Sequence, residues 1–130
     1  MAVTTAQGWS YTDVTVASAA GSGNTTSEPM SGRLYQVEYI KDASAPYSAN
    51  ATFTVHAIRG GGSTLVLLFT SVATQIDNDN WFAFGSPILD NAGAASTGVE
   101  CYAGVNDTFK VSVASAGSSK TGVFRLKFKP

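Results

Sequence analysis

Residues 32–58 read GRLYQVEYIKDASAPYSANATFTVHAI, and the alternation within this stretch decides the fold class. Apolar and polar side chains take turns in two runs, 35–39 and 53–57, and a polar loop containing Pro46 separates them. Because successive side chains of a β-strand point to opposite faces, each run predicts a strand with one buried and one solvated face. The side chains predicted to be buried are Tyr35, Val37, Tyr39, Phe53, Val55 and Ala57.

The rest of the chain repeats this pattern of short strands and turns. No segment has an apolar period of 3.6 residues, and Gly, Ser, Asn and Asp punctuate the strands. The predicted strands cover 9–16, 32–40, 51–58, 65–69, 81–84, 99–103, 109–114 and 123–128. This spacing predicts an all-β fold, an antiparallel two-sheet β-sandwich or jelly-roll-like domain of about eight strands.

Four local predictions accompany this fold. Residues 1–8 are predicted to be a flexible arm, so that a single β-sandwich domain covers 9–130. Strand 9–16 is predicted to turn Tyr11, and with it Trp9, toward its apolar side. The apolar run 65–69 predicts a central strand with both faces covered, and the Asn-Asp pair at 106–107 predicts a turn between two strands.

Composition limits the expected partners. The 130 residues carry a formal net charge of −1, and only 13% of them are charged. Binding a phosphate backbone requires several clustered cations, so no nucleic-acid partner is expected. No apolar run is long enough to cross a bilayer, so no membrane association is expected either. The N-terminal residues lack the features of a signal peptide, which predicts synthesis in a cytosol.

No cluster of residues predicts catalysis, a metal site or a cofactor site. The single cysteine, Cys101, is interpreted as a small buried apolar group. The single histidine, His56, occupies the polar register of its strand and is expected to be exposed or at a rim. Residues 77–80 (DNDN) do not have the spacing of a calcium loop and predict a turn. The expected protein is therefore not an enzyme and holds no metal or cofactor.

The last predicted strand alternates three inward apolar side chains with Arg125, Lys127 and Lys129. Two interpretations of these cations remain open. In the first, the strand lies at a sheet edge, where cations prevent pairing with another sheet. In the second, the cations form a basic stripe that docks on an acidic surface of a partner.

Aromatic side chains supply the other candidate contacts. The segment beginning at Trp81 places aromatic residues on both faces of one short strand. These rings either fill a core on both sides or, at Trp81, are covered by a neighbouring subunit; Trp9 invites the same interpretation. The predicted partner-contact residues are Trp9, Tyr11, Trp81, Arg125, Lys127 and Lys129.

Four stretches also carry a resemblance to a family. These are SGRLYQVEYI at 31–40, ATFTV at 51–55, WFAFGSPILDNAGAA at 81–95, and KVSVASAG with KTGVFR within 110–125. Together they resemble small virion proteins of tailed phages, of the head decoration (cement) type. The resemblance covers most of the chain after residue 10 and carries over no functional residues.

The resemblance implies a non-enzymatic structural protein that binds and stabilises the outer head shell. Its implied partners are the major capsid protein and further copies of itself, as a homo-trimer or other homo-oligomer. Its implied location is the capsid surface of the virion, after assembly in the host cytoplasm. Two alternatives remain open: a carbohydrate- or receptor-binding β-sandwich module of a fibre or tail, and a head–tail neck protein.

Overall fold

A computed structural model describes residues 3–6, 9–59, 65–70, 81–83, 88–90, 95–98 and 102–129, and describes side chains for 10–59, 65–70 and 106–129. All regular structure in the described residues is β-strand. The strands are β1 Val3–Ala6, β2 Trp9–Ala17, β3 Gly23–Thr26, β4 Met30–Lys41, β5 Thr52–Ile58, β6 Leu65–Thr70, β7 Trp81–Ala83, β8 Ile88–Asp90, β9 Ala95–Gly98, β10 Tyr102–Ala114 and β11 Thr121–Lys129.

These strands pair in the order β1-β2-β11-β4-β7-β8-β9-β6-β5-β10-β3, and β4 makes an additional pairing with β10. Every pairing between these strands is antiparallel. The prediction of an all-β, antiparallel fold is therefore confirmed. The strands absent from the prediction (β1, β3, β8 and β9) have three or four residues each, too few for an alternation to be recognised.

The N-terminal segment contains one of these additional strands. Val3–Ala6 pairs with β2, and Ala6 lies opposite Trp9 in the register. The prediction of a flexible arm over 1–8 is wrong for these four residues, because their backbone groups join a sheet. Four small residues form no apolar alternation that would identify a strand in the sequence. The strand forms because it pairs with β2.

β10 joins two segments that the sequence predicted to be separate strands. Asn106 has the positive φ of 55° that its residue type tolerates, and its N–H donates to Ser31 Oγ at 2.8 Å. The register with β4 shifts between Gly104 and Asp107, so the predicted turn is a β-bulge within one strand. As a result, the first part of β10 pairs with β4, whereas its later part pairs with β5 and β3.

The core is formed by the inward side chains of β2, β4, β5, β6, β10 and β11. Phenylalanine rings from different strands contact one another in it: the ring centroids of Phe53 and Phe124 lie 4.8 Å apart, and those of Phe109 and Phe128 lie 5.1 Å apart. All four side chains are almost completely buried. Removing such large apolar surfaces from water supplies most of the stabilisation of a fold of this size.

One end of the core is built around Gly122. A Cβ atom at this position would lie 2.7 Å from a ring carbon of Tyr47 and 2.8 Å from one of Tyr39. The two tyrosine rings stack with centroids 5.7 Å apart, and Phe124 packs against both. Tyr47 comes from the loop between β4 and β5, and its hydroxyl donates to the Val16 carbonyl at 2.6 Å. Burial raises the pKa of Tyr47, and the neighbouring Tyr39 raises it further.

Three predicted burial patterns need correction. In β2 the buried residues are Thr12, Val14 and Val16, so Tyr11 lies on the opposite face from the one predicted. In β4 Leu34 is buried and Tyr35 is not, because the register with β11 shifts at this point and reverses the alternation. The remaining predicted inward residues, Val37, Tyr39, Phe53, Val55 and Ala57, are buried as predicted.

β6 provides the third correction. The sequence predicted a strand covered on both faces, and Leu68 and Phe69 are fully buried. Leu65 and Leu67, however, are 46% and 44% exposed. Two other predictions, the turn at 77–80 and the burial of Cys101, lie outside the described residues.

Candidate functional site

The outward side chains of β2, β11 and β4 form one continuous surface, which we call the charged face. In β11 the inward positions belong to Phe124, Leu126 and Phe128, as predicted, so the intervening residues point outward. The strand register then aligns outward residues across the three strands. The charged face consists of Tyr11, Asp13, Arg33, Tyr35, Glu38, Arg125, Lys127 and Lys129.

β11 is an interior strand. It pairs with β2 from Thr121 to Phe128 and with β4 from Gly122 to Lys129. The interpretation that its cations protect a sheet edge is therefore wrong, because both of its edges are hydrogen-bonded. The cations instead lie above the middle of a sheet, where neighbouring strands supply their partners.

Arg125 is the most strongly held side chain of the charged face. Its Nε donates to Asp13 Oδ1 at 2.8 Å and its Nη2 donates to Oδ2 at 3.1 Å, the forked geometry that favours arginine over lysine. The guanidinium carbon also lies 4.3 Å from the centre of the Tyr11 ring. The hydrogen bonds to Asp13 raise the pKa of Arg125 above its ordinary value, against the opposing effect of burial.

Lys127 and Lys129 are held by the other neighbouring strand. Lys127 Nζ lies 3.9 Å from Glu38 Oε2, and the two side chains are 18% and 29% exposed. Lys129 Nζ lies 4.7 Å from the centre of the Tyr35 ring. Partial burial raises the pKa of Tyr35. Each cation of β11 therefore has a defined partner from an adjacent strand.

The predicted contact residues lie in three strands, β2, β11 and β7, and β4 lies between β11 and β7. Tyr11 and the three cations lie on the charged face, and Trp9 begins β2. Trp81 begins β7, where it is paired with Glu38 of β4. The side chains of Trp9 and Trp81 lie outside the described residues. The contact roles of all six residues remain predictions.

Sequence reasoning missed four members of the charged face: Asp13, Arg33, Tyr35 and Glu38. Glu38 occupies an outward position of the predicted strand 32–40, so the alternation alone could have placed it at the surface. By contrast, Asp13 shares a face with Tyr11, which was predicted to point inward. The proximity of both acids to Arg125 and Lys127 depends on the strand order, which a single sequence does not specify. Tyr35 reaches this surface only because of the irregular register with β11.

A second outward surface lies on β5 and β6. Leu65 is paired with Ile58, and Leu67 is paired with His56. His56 is half-buried in the polar register, as predicted for a rim position, and its Nδ1 is buried without a hydrogen-bond partner among the described residues. We refer to Leu65 and Leu67 as the leucine pair.

The described part of the chain holds no group of three or more His, Cys, Asp or Glu side chains positioned to bind a metal ion. Within the same residues, no helix is long and apolar enough to cross a membrane. Comparison with protein-family models, with curated proteins and with solved structures found no match to this chain.

Proposed function

We propose that this chain is a non-enzymatic structural protein of a tailed phage, a capsid decoration (cement) protein that binds and stabilises the outer head shell. The observation that carries the proposal is the leucine pair: two adjacent outward positions of one strand expose large apolar side chains. Such side chains lose contact with water when another protein covers them, which favours association. The resemblance of residues 31–40 and 81–95 to phage decoration proteins supports the same function.

The fold we propose for this role is a two-sheet β-sandwich. β2, β11 and β4 would lie in one layer, and β3, β10, β5 and β6 in the other. Its support is the set of ring contacts between the two groups of strands, Phe53 with Phe124 and Phe109 with Phe128. A sandwich leaves the outer face of each layer free for contact, so the charged face and the leucine pair would serve different neighbours.

The proposed partners are the major capsid protein and further copies of this chain, with a homo-trimer as the expected assembly. The proposed location is the capsid surface of the virion, after assembly in the host cytoplasm. A cement protein stabilises a shell by bridging neighbouring capsomers, so that opening the shell must also break its contacts. A head–tail neck protein would use the same surfaces at a different position in the virion.

The test combines purified protein with mature head shells that lack it. We expect the protein to sediment with the shells, to raise the temperature at which they open, and to form oligomers in solution. The double variant Leu65→Ser/Leu67→Ser should remain folded and lose self-association. Thr52→Ser/Thr54→Ser, on the neighbouring strand, is the matched control and should behave as wild type. A monomer that neither sediments with shells nor stabilises them would overturn the proposal.

A carbohydrate-binding module is the second candidate, and the rings of the charged face favour it. Tyr11 and Tyr35 are both half-buried on this face, beside hydrogen-bonding side chains. Sugar rings stack on such aromatic side chains while charged groups bond their hydroxyls. A glycan-array screen separates the two candidates: binding to a defined glycan that is lost in Tyr11→Ala and Tyr35→Ala would replace the cement function.

A further inference from the structure

Charge is distributed unevenly between the strands that form the charged face and the rest of the chain. β2, β4 and β11 contain five basic residues (Arg33, Lys41, Arg125, Lys127, Lys129) and two acidic ones (Asp13, Glu38), a net charge of +3. The rest of the chain contains three basic and seven acidic residues, a net charge of −4, which accounts for the total of −1. A nearly neutral chain therefore presents one distinctly basic sheet.

The charged face, which does not include Lys41, carries four cations and two acids, and its excess of two positive charges lies at one end. Lys129 is paired with Arg33 in the register, and both residues are exposed. The two acids of this face are paired with other cations: Asp13 Oδ1 lies 2.8 Å from Arg125 Nε, and Glu38 Oε2 lies 3.9 Å from Lys127 Nζ. Asp13 and Glu38 are the only acids among the described side chains of β2, β4 and β11, so these three strands supply no acid that balances Arg33 and Lys129.

Several side chains of this face, Lys129 among them, are also held in place before any partner arrives. Two N–H groups of Arg125 donate to Asp13, and its guanidinium packs on Tyr11. Lys129 packs on Tyr35. Ordering long side chains is one of the main entropic costs of association, and this cost is lower where they are already fixed.

We propose that the charged face is the surface through which this chain docks on an acidic protein surface, with Arg33 and Lys129 binding its carboxylates. The inference rests on the proposed function, in which that surface belongs to the head shell. Carboxylates suit these donors because charge-assisted hydrogen bonds from guanidinium and ammonium groups are shorter and stronger than those between neutral groups. Duplex DNA suits the face less well, because binding a phosphate backbone requires several clustered cations and this face adds only two beyond those paired with Asp13 and Glu38.

The first experiment measures binding of the purified protein to immobilised poly-L-glutamate at about 50 mM and about 500 mM salt. The variant Arg33→Glu/Lys129→Glu should bind roughly tenfold or more weakly than wild type at low salt. The matched control, Lys110→Glu/Lys120→Glu, changes the net charge equally at positions outside the charged face. It should bind within about twofold of wild type.

Three results would overturn the inference. Equal losses in the two double variants would show that net charge, and no particular face, governs binding. Unchanged binding to poly-L-glutamate by Arg33→Glu/Lys129→Glu would show that Arg33 and Lys129 are not the binding residues. Binding of wild type to a duplex DNA oligonucleotide as tightly as to poly-L-glutamate would assign the face to nucleic acid instead.

The same variants on head shells separate this inference from the proposed function. If wild type and both variants sediment equally with shells, the decoration function holds and the charged face is not the docking surface. If wild type ignores shells yet binds poly-L-glutamate through Arg33 and Lys129, the acidic-surface inference holds and the decoration function fails. Loss of shell binding in Arg33→Glu/Lys129→Glu alone supports both.

Discussion

The sequences of β11 and β6 each suggested a position that the structure does not show. The three cations of β11 suggested a sheet edge, and the strand lies between β2 and β4. The apolar run of β6 suggested a strand covered on both faces, and the leucine pair is nearly half exposed. The comparison teaches that the character of the side chains specifies neither which strands lie beside a strand nor whether both of its faces are covered.

The largest expected effect tests whether a buried side chain of β11 contributes more to the free energy of unfolding than an exposed side chain of β6. Phe124→Ala in β11 removes a ring that contacts Tyr39, Tyr47 and Phe53, and should lower the free energy of unfolding by about 3–5 kcal/mol. Leu67→Ala in β6 should change it by no more than about 0.5 kcal/mol, because that side chain is 44% exposed. Urea unfolding measures both. Similar losses in the two variants would contradict the contrast.

The next effect concerns close packing within β11. Gly122→Ala should destabilise the protein by about 1–3 kcal/mol, because the added methyl group would meet the rings of Tyr39 and Tyr47. In a double-mutant cycle, Tyr47→Leu should relieve part of this cost, so the two losses should add to more than the loss in the double variant. Additive losses would show that Tyr47 is not the obstacle.

A smaller effect depends on pH. Tyr47→Phe removes the hydroxyl that donates to Val16, and should cost about 1 kcal/mol at neutral pH. Burial raises the pKa of Tyr47 above its unfolded value, so the stabilisation by the neutral phenol is complete below about pH 10 and is lost as pH rises further.

Denaturant titrations from about pH 9 to about pH 11 should therefore show wild type losing stability faster than Tyr47→Phe. The difference in unfolding free energy between the two proteins should narrow as pH rises. Parallel curves over this range would contradict the assigned environment of Tyr47.

The smallest effect concerns the outward face of β11. Asp13→Asn weakens the ion pair with Arg125. The Asp13 side chain is 38% exposed and the Arg125 side chain is 30% exposed. Solvent screens such pairs, so the expected loss is about 0.3–1 kcal/mol and should shrink in about 1 M salt. A loss of the size expected for Phe124→Ala would show that the charged face, and not the core, holds β11 in the sheet.

The sequence predicted the strand class, the inward residues of β5 and β11, and the outward position of the β11 cations, because a period of two is a local property. The prediction failed where one extra residue in a strand reverses which side chains point inward. Asn106 was recognised as a residue that tolerates positive φ, yet it forms a bulge inside β10 where a turn was predicted. Tyr35 lies outside the core for the same kind of reason, a register shift against β11.

The sequence identified some residues of the charged face and missed the residues that contact them. Alternation identified the cations of β11 as outward residues, whereas Tyr11 was named as a contact residue although the alternation predicted that it points inward. Asp13, Glu38 and Tyr35 entered only when the order β2-β11-β4 placed them beside those cations. No local signal encodes that order, since strands that are adjacent in the sheet lie far apart in the chain: Arg125 and Asp13 are 112 residues apart.

By itself, the sequence determined that this chain forms antiparallel strands with aromatic and aliphatic side chains on their inner faces. Tertiary structure alone decided that β11 is interior, that its cations meet carboxylates and tyrosine rings, and that the leucine pair remains exposed. The physical reason is that side-chain direction follows from backbone geometry one residue at a time. Strand pairing instead depends on hydrogen bonds and core contacts between distant segments, which only the folded chain brings together.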